Sequence, residues 1–205
     1  MAYILGFFAA DGYMTVNRRG GQYWCIQITD GELLEDIRNA IESDHKISVR
    51  PRKKNEKVIY RLQIGSGEMC NDLRNLGFGV CKTKNITVPR IPQKYFNHFV
   101  RGYFDGDGNV WVGNTHKQRM RSALSIRTVF TSCSKDFLER LRVGLEENVV
   151  NRGVLSKGAG NFYRLTYSIV SSLKLYNFMY NRLGSSKLFL QRKKRVFEEY
   201  NALRL

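Results

Sequence analysis

The spacing of hydrophobic residues along the first half of the chain changes between a strand period and a helix period. Apolar residues recur every second position where strands are predicted and every third or fourth position where helices are predicted. Asp30, for example, is the predicted N-cap of a helix that places Leu33, Leu34 and Ile37 on one face. The predicted elements of this half are strands over Tyr13–Val16, Tyr23–Ile28, Ile47–Arg52 and Val58–Ile64, and helices over Glu32–Ser43 and Gly67–Leu76.

The second half repeats this order of elements. Ser134 is the predicted N-cap of its first amphipathic helix, and Leu183-Gly184 ends a helix as Leu76-Gly77 does in the first half. The predicted elements are strands over Val110–Asn114, Ser122–Thr131, Gly153–Lys157 and Phe162–Ile169, and helices over Lys135–Leu145, Ser171–Leu183 and Lys187–Ala202.

A short motif opens each half and predicts one further helix there. Residues 4–12 read Ile-Leu-Gly-Phe-Phe-Ala-Ala-Asp-Gly, and residues 100–108 read Val-Arg-Gly-Tyr-Phe-Asp-Gly-Asp-Gly. Each half therefore reads αββαββα, which predicts an α+β protein with two similar halves, residues 1–92 and 93–205, divided at the Pro-rich linker 89–92.

Small residues recur four positions apart in both motifs. Gly6 is followed by Ala10, and Gly102 by Gly106, so each pair lies on one helix face and lets two backbones approach closely. We therefore expect the two motif helices to pack against each other. The last motif aspartates of the two helices would then come together.

Those aspartates, Asp11 and Asp107, are the candidate metal ligands of the chain. A carboxylate at a helix C-terminus opposes the helix dipole, and two neighbouring carboxylates repel each other. A divalent cation offsets both effects, and carboxylate and backbone carbonyl oxygens suit Mg²⁺, which also binds phosphate oxygens. A single Asp-Gly is ordinarily only the turn that ends a helix. Two copies at equivalent points of a duplicated chain favour a metal site.

Composition narrows the class of partner. The 205 residues are 42% hydrophobic, which is typical of a folded chain. The formal net charge of +16 disfavours basic partners and favours nucleic acid or, less often, an anionic membrane surface. Without a run of 18 apolar residues, no membrane span or membrane partner is predicted, and the apolar start lacks the basic region of a signal peptide. The four cysteines form no CxxC pair, which makes a zinc site improbable and fits an intracellular, reducing compartment, either an organelle or a prokaryotic cytoplasm.

The two motifs resemble the LAGLIDADG sequences of homing endonucleases, in the single-chain form that carries both copies. The resemblance covers essentially the whole chain and implies saddle-shaped antiparallel sheets that form a DNA-binding surface, with the motif helices packed at the centre. It implies that Asp11 and Asp107 are catalytic and bind metal, together with the backbone carbonyls of Ala10 and Gly106. The two copies differ at the sixth motif position, which is Ala9 in the first and Asp105 in the second, and we interpret Asp105 as structural.

The resemblance also implies the reaction. It is hydrolysis of a phosphodiester on each strand of double-stranded DNA across the minor groove, with two or three Mg²⁺ ions, and with Mn²⁺ or Ca²⁺ as substitutes in binding. A basic side chain assists near each active centre of the family, and the candidates are Lys82, with Lys84 close by, and Lys193. Gln27 and Ser132, at strand ends, are candidates for ordering water.

Candidate DNA contacts lie on the predicted hairpins, because a twisted antiparallel sheet can follow the major groove. In the first half they are Arg18, Arg19, Gln22, Arg50, Arg52, Lys53, Lys54, Lys57, Arg61 and Gln63. In the second half they are Lys117, Arg119, Arg121, Ser125, Arg127, Arg152, Lys157, Arg164 and Tyr167. Which of them touch bases and which touch phosphate is left open.

Three functions fit these features. The first is an intron-encoded, site-specific DNA endonuclease, expected to be a monomer because one chain carries both motifs. The second is an RNA maturase that assists splicing, and the third is a DNA-binding regulator without catalysis. Both motif aspartates are present, which favours the nuclease. An intein is disfavoured, because the chain has neither a nucleophilic first residue nor a terminal His-Asn.

Overall fold

A computed structural model describes residues 1–50, 57–79, 86–115, 123–149, 151–181, 183 and 188–204. Two four-stranded antiparallel sheets with helices packed on them confirm the α+β class. The elements of the first half are α1 (Ala2–Asp11), β1 (Gly12–Val16), β2 (Gln22–Ile28), α2 (Gly31–Ala40), β3 (Ser48–Arg50), β4 (Ile59–Gly65) and α3 (Gly67–Asn75). Those of the second half are α4 (Gln93–Asp107), β5 (Gly108–Thr115), β6 (Ala123–Ser132), α5 (Lys135–Asn148), β7 (Val154–Lys157), β8 (Tyr163–Tyr167), α6 (Ile169–Tyr180) and α7 (Gln191–Ala202).

The two sheets share one topology. Their strand orders are β1-β2-β4-β3 and β5-β6-β8-β7, with every neighbouring pair antiparallel. In each sheet the first strand begins at the glycine that follows a motif aspartate, since Gly12 pairs with Ile26 and Gly108 pairs with Phe130. The duplication inferred from the sequence is therefore present in the strand register.

The described residues form two compact units, Met1–Gly106 and Asp107–Leu205. The division falls near the end of α4, so nearly all of the second motif helix belongs with the first unit. That helix packs on α1 through its small residues, which accounts for the grouping. A division of the repeats after residue 92 stays a prediction.

The contact between α1 and α4 is close enough to require glycine. A Cβ atom at Gly6 would overlap the backbone carbonyl oxygen of Phe99 and lie 2.9 Å from the amide nitrogen of Tyr103. A Cβ atom at Gly102 would overlap the carbonyl oxygen of Tyr3 and lie 2.8 Å from the amide nitrogen of Phe7. The two motif helices therefore pack backbone against backbone, as their small residues predict.

Aromatic residues fill the space between α1 and the first sheet. Phe8 stacks on Trp24 with ring centroids 5.7 Å apart, and Phe78 meets Phe8 edge-on at 5.5 Å. All three are at most 2% exposed, and Ile26 and Leu62 of the same sheet face are fully buried. This core fixes the end of α1, where the first motif aspartate lies.

Helix starts agree with the predicted caps in part. Ser134 accepts a hydrogen bond from the Phe137 amide at 3.2 Å, as predicted, and Ser66 does the same for Met69 at 3.1 Å. Asp30 stands at the N-cap of α2, but its side chain makes no capping hydrogen bond.

Several helix ends differ from the predicted ones, as α2 and α6 show. Helix α2 stops at Ala40 rather than Ser43, just before Glu42 takes a positive φ of 52°. Helix α6 begins at Ile169, since β8 ends at Tyr167 and Ser168 is the N-cap of the helix, and α6 stops at Tyr180. Gly184 and Lys187, predicted to bound the last two helices, lie outside the described residues.

Within the described part of the chain, no helix is long and apolar enough to cross a membrane. Cys25 and Cys70 are buried free thiols, and Cys133 is an exposed one. Cys81 lies outside the described residues.

Candidate active site and nucleic-acid surface

Asp11 stands at the point where α1 turns into β1 without a loop. Gly12 has extended backbone, φ −79° and ψ 158°, and its N–H donates to the carbonyl of Phe8. A Cβ atom at Gly12 would overlap the ring of Phe8, so this chain direction requires glycine after the aspartate. Asp11 itself is half-buried. The helix end and the strand start together fix the backbone that carries its carboxylate.

Gly106 of the second motif lies against Asp11. A Cβ atom at Gly106 would overlap the methyl group of Ala10 and lie 3.1 Å from Asp11 Oδ2. Both contacts fall within the unit Met1–Gly106. The small residues therefore bring the end of α4 to the end of α1, and the next residue along the chain is Asp107, which is exposed.

Lys193 lies beside the second motif. It is 7% exposed, and its Nζ donates to the carbonyl oxygen of Gly108 at 2.6 Å. That carbonyl belongs to the residue directly after Asp107, so α7 places a buried cation next to the strand start in the second unit. Lys82 and Lys84, the equivalent candidates of the first half, lie outside the described residues.

Asp105 is buried away from solvent. It is 1% exposed and accepts a hydrogen bond from the Tyr3 hydroxyl at 2.8 Å. Arg101 is 1% exposed, and its guanidinium lies over the Tyr3 ring at 5.3 Å from the centroid. The geometry supports the structural interpretation of Asp105, because its carboxylate is held in the helix contact.

Arg101 also meets a histidine. Its Nη2 lies 3.0 Å from His98 Nδ1. Burial lowers the pKa of His98, and the positive charge of Arg101 lowers it further. The imidazole is therefore neutral near pH 7, and its Nδ1 accepts a hydrogen bond from Arg101.

The exposed face of the first sheet carries several predicted DNA contacts. Register places Gln27 with Arg61 in one cross-strand row and Cys25 with Gln63 in the next, on the face opposite Ile26 and Leu62. Arg50 lies on the same face of the sheet. Arg18 and Arg19 are exposed in the turn between β1 and β2, and Lys57 is exposed just before β4.

Gln22 has another orientation from the one predicted. It shares its sheet face with Trp24 and Ile26, and its Oε1 is buried. The alternation of side chains along β2 therefore points Gln22 toward the packed side, and the geometry gives its DNA contact no support.

Tyr13 and Cys25 form a hydrogen-bonded pair on this face. Burial raises the pKa of the Tyr13 hydroxyl, and Cys25 raises it further. Burial likewise raises the pKa of the Cys25 thiol, which is fully buried. Both groups are therefore neutral near pH 7, and neither is an activated nucleophile.

The second sheet presents Arg127 and Arg164 on its exposed face. Arg127 pairs with Trp111 across β5 and β6, and Arg164 pairs with Thr131 and Ser156. Lys157 and Arg152 are exposed at the ends of the β7 strand region. The predicted contacts Arg52, Lys53, Lys54, Lys117, Arg119 and Arg121 lie outside the described residues.

Two predicted contacts of the second half are buried instead. Tyr167 is 1% exposed, lies on the packed face of the sheet with Leu165, and meets Phe130 edge-on with ring centroids 6.3 Å apart. Its assignment to DNA contact is therefore wrong. Burial raises the pKa of its hydroxyl. Ser125 is 6% exposed although it lies on the outer face, and Ser132, a candidate for ordering water, is buried and accepts a hydrogen bond from the Ser134 amide.

Trp111 is the surface residue that sequence reasoning missed. It is 43% exposed in the middle of β5. An aromatic residue in a strand ordinarily indicates core, so composition gave no signal. The available signal was the alternation of β5, where Asn109 and Trp111 fall on the face opposite Gly108 and Val110.

Comparison with known proteins supports the same fold. Residues 1–75 match the model of the LAGLIDADG-like domain. The LAGLIDADG meganuclease I-AabMI bound to uncleaved DNA superposes with a TM-score of 0.63 at 13% identity, over 98% of this chain and 88% of that one. The meganuclease I-SmaMI bound to uncleavable DNA gives a TM-score of 0.65 at 13% identity, over 98% of this chain and 87% of that one. The I-LtrWI LAGLIDADG homing endonuclease bound to target DNA gives a TM-score of 0.64 at 12% identity, over 98% of this chain and 88% of that one.

One curated relative matches by sequence. A probable translation initiation factor IF-2 of Thermococcus kodakarensis is 38% identical over 91 residues, which are 42% of this chain. The matched stretch spans 6% of that factor's length.

Proposed function

We propose that this chain, which carries a LAGLIDADG-like domain in residues 1–75 and has the fold of the single-chain LAGLIDADG homing endonucleases, is a site-specific double-strand DNA endonuclease. It hydrolyses one phosphodiester on each strand of a long target. The observation that carries this proposal is the packing of α1 against α4, which brings Gly106 against the Asp11 carboxylate. Two copies of one motif thus end with an acidic residue each, in a protein of net charge +16.

Divalent metal ions fit the groups at the motif ends. Asp11 and Asp107, with the backbone carbonyls of Ala10 and Gly106, offer only oxygen donors, which Mg²⁺ prefers. Among the residues that the structure describes, no group of three or more His, Cys, Asp or Glu could hold a metal. Water and phosphate oxygens would complete the coordination of the ion, as is usual for Mg²⁺. When bound, the ion supplies an activated water and stabilises the leaving 3′-oxygen.

Lys193 assists at the second motif. Its ammonium group is held on the Gly108 carbonyl, one residue from Asp107, and burial strengthens its field in the absence of bulk water. In this position it stabilises negative charge that develops on the phosphate. Its hydrogen bond also orients the backbone at the start of β5.

The exposed faces of both sheets bind the duplex. Arg61, Gln63, Arg127 and Arg164 stand on antiparallel strands with their side chains on the outer side, where a twisted sheet can enter the major groove. The exposed Arg18, Arg19, Arg50, Lys57, Arg152 and Lys157 add positive charge around them. Since one chain contributes both sheets, the enzyme acts as a monomer, which sedimentation with and without duplex would test.

Selection of cut molecules from a random-duplex library in Mg²⁺ tests this function, with native protein and the Asp107→Asn variant side by side. The proposal predicts one long site that is cut on both strands by native protein only. Omission of the metal is the second control and should abolish cutting.

Failure to enrich any cut site would overturn the endonuclease. Binding of the same protein to duplex without cutting would favour the DNA-binding regulator. Preferential binding to structured RNA would instead favour the maturase.

A further inference from the structure

Trp111 lies on the sheet face that carries the arginines. By register it is the cross-strand partner of Arg127, while Ile126, Thr128 and Phe130 are fully buried on the other face. A tryptophan that is 43% exposed in the middle of a strand leaves much apolar area in water. Exposed apolar area of this kind indicates an interaction site, and the charges around it indicate the class of partner.

The indole of Trp111 lies close to Gly113, two residues along the same strand. A Cβ atom at Gly113 would overlap Cζ2 of Trp111 and lie 2.9 Å from Cη2 and 3.1 Å from Cε2. Ser125, the cross-strand partner of Gly113, is buried although it faces outward. The six-membered ring of the indole therefore lies against the strand at Gly113, and 43% of Trp111 stays exposed. The missing side chain at Gly113 makes this orientation possible.

Charge around the indole favours nucleic acid as the partner. The Arg127 guanidinium lies over the Trp111 ring, 5.8 Å from its centroid, and Arg164 stands on the same sheet face. Both cations are exposed and attract phosphate. A neutral apolar partner would leave these charges beside it without compensation.

We infer that Trp111 reads the C5-methyl group of a thymine in the major groove, as a specificity-determining residue of the proposed endonuclease. In a stacked duplex the base faces are covered, so the sheet meets only base edges. The thymine methyl is the apolar group on those edges, and the exposed part of the indole gives it an apolar contact. Uracil lacks the methyl, so the same contact favours DNA over RNA of equal sequence. This inference rests on the proposed function.

Substitution of deoxyuridine for thymine tests the contact, because it removes only the methyl group. The duplex is first selected by binding, in Ca²⁺, so that cutting is not needed. Each thymine is then replaced singly, and the Kd is measured for native protein, Trp111→Ala and Val170→Ala, an equally simple truncation of an exposed apolar residue on helix α6. We expect about four-fold weaker binding at one thymine, the value for one buried methyl group. The loss should vanish in Trp111→Ala and persist in Val170→Ala.

Tryptophan fluorescence provides a second measurement, which does not require that the contacted thymine is known. The chain has two tryptophans, and Trp24 is 2% exposed, so acrylamide quenching reports mainly Trp111. Bound duplex should protect it, and the Trp111→Phe variant should show no protected component.

The outcomes separate the two claims. A selected duplex with no uracil-sensitive position, or equal sensitivity in Trp111→Ala, overturns the thymine contact and leaves the endonuclease intact. A library that yields no preferred duplex overturns the proposed function, and the inference with it.

Discussion

Gly6 and Gly102 occupy reciprocal positions in the contact between the two motif helices. Gly6 meets the backbone of Phe99 on α4, and Gly102 meets the backbone of Tyr3 on α1. In the repeat Gly6 corresponds to Gly102 and Tyr3 to Phe99, so each contact is the image of the other. A duplicated motif thus packs on its own copy, as identical surfaces do in a twofold dimer.

Substitution of Gly102 by alanine is expected to destabilise the protein strongly. The added methyl would overlap a backbone oxygen, which cannot move as a flexible side chain can, so we expect a loss of about 3 kcal/mol or more in the free energy of unfolding. Urea denaturation measures it. Gly67→Ala is the matched control, because no atom lies within 4 Å of the added Cβ and α3 gains a better helix former there. Equal stability of the two variants would contradict the close packing.

Loss of the Tyr3 hydroxyl should weaken the same contact. Tyr3→Phe removes a 2.8 Å hydrogen bond to the buried carboxylate of Asp105, for which we expect a loss of about 1.5–3 kcal/mol. Tyr176→Phe removes a longer, half-buried bond of 3.4 Å to Glu198 and should lose less. Thermal unfolding of both variants compares them, and a Tyr3→Phe variant as stable as native protein would show that this bond contributes nothing net.

The sequence predicts most of the fold because its patterns are local. The four strands of each half follow one another as their sequence patterns indicate, and Ser134 caps its helix as its position indicates. Asp30 also occupies a cap position, but its side chain makes no capping bond, which sequence spacing cannot reveal.

The site is predicted less completely, because side-chain direction depends on register. Tyr167 and Trp111 are both aromatic strand residues, yet one is buried at 1% and the other is 43% exposed. Pairing with the neighbouring strand decides which face each one takes, and a one-residue shift would exchange them. Lys193 belongs to the basic run Arg192-Lys193-Lys194, and only the packing of α7 on β5 distinguishes it from Lys194.

Lys193→Met should reduce cutting more than it reduces binding. The variant keeps the apolar stem but removes the ammonium group beside the second motif, for which we expect about a 10²-fold slower cleavage. Lys194→Met is the neighbour control, since Lys194 pairs with Glu198 on the same helix. Single-turnover cleavage and duplex binding are measured together. Equal cleavage rates for the two variants would remove Lys193 from the active centre.

Binding should weaken steeply with salt through the exposed sheet arginines. Each phosphate contact contributes about −0.9 to the slope of log K against log salt, so loss of one contact in Arg61→Gln should flatten the slope by about one. Arg140→Gln removes a cation that is ion-paired to Asp136 on α5 and should leave the slope unchanged. A slope that is flat in native protein, or equally altered by both substitutions, would contradict the assigned surface.

The central claim is that Asp11 and Asp107 cut the DNA that the sheets bind. The most direct measurement compares binding and double-strand cutting of one selected duplex by Asp11→Asn, Asp107→Asn and Asp105→Asn in Mg²⁺. We predict near-native Kd for the first two variants, with cutting reduced by at least about 10²-fold. The folded fraction of Asp105→Asn should cut as native protein does, since Asp105 is buried in the helix contact. Undiminished cutting by Asp11→Asn or Asp107→Asn would contradict the account.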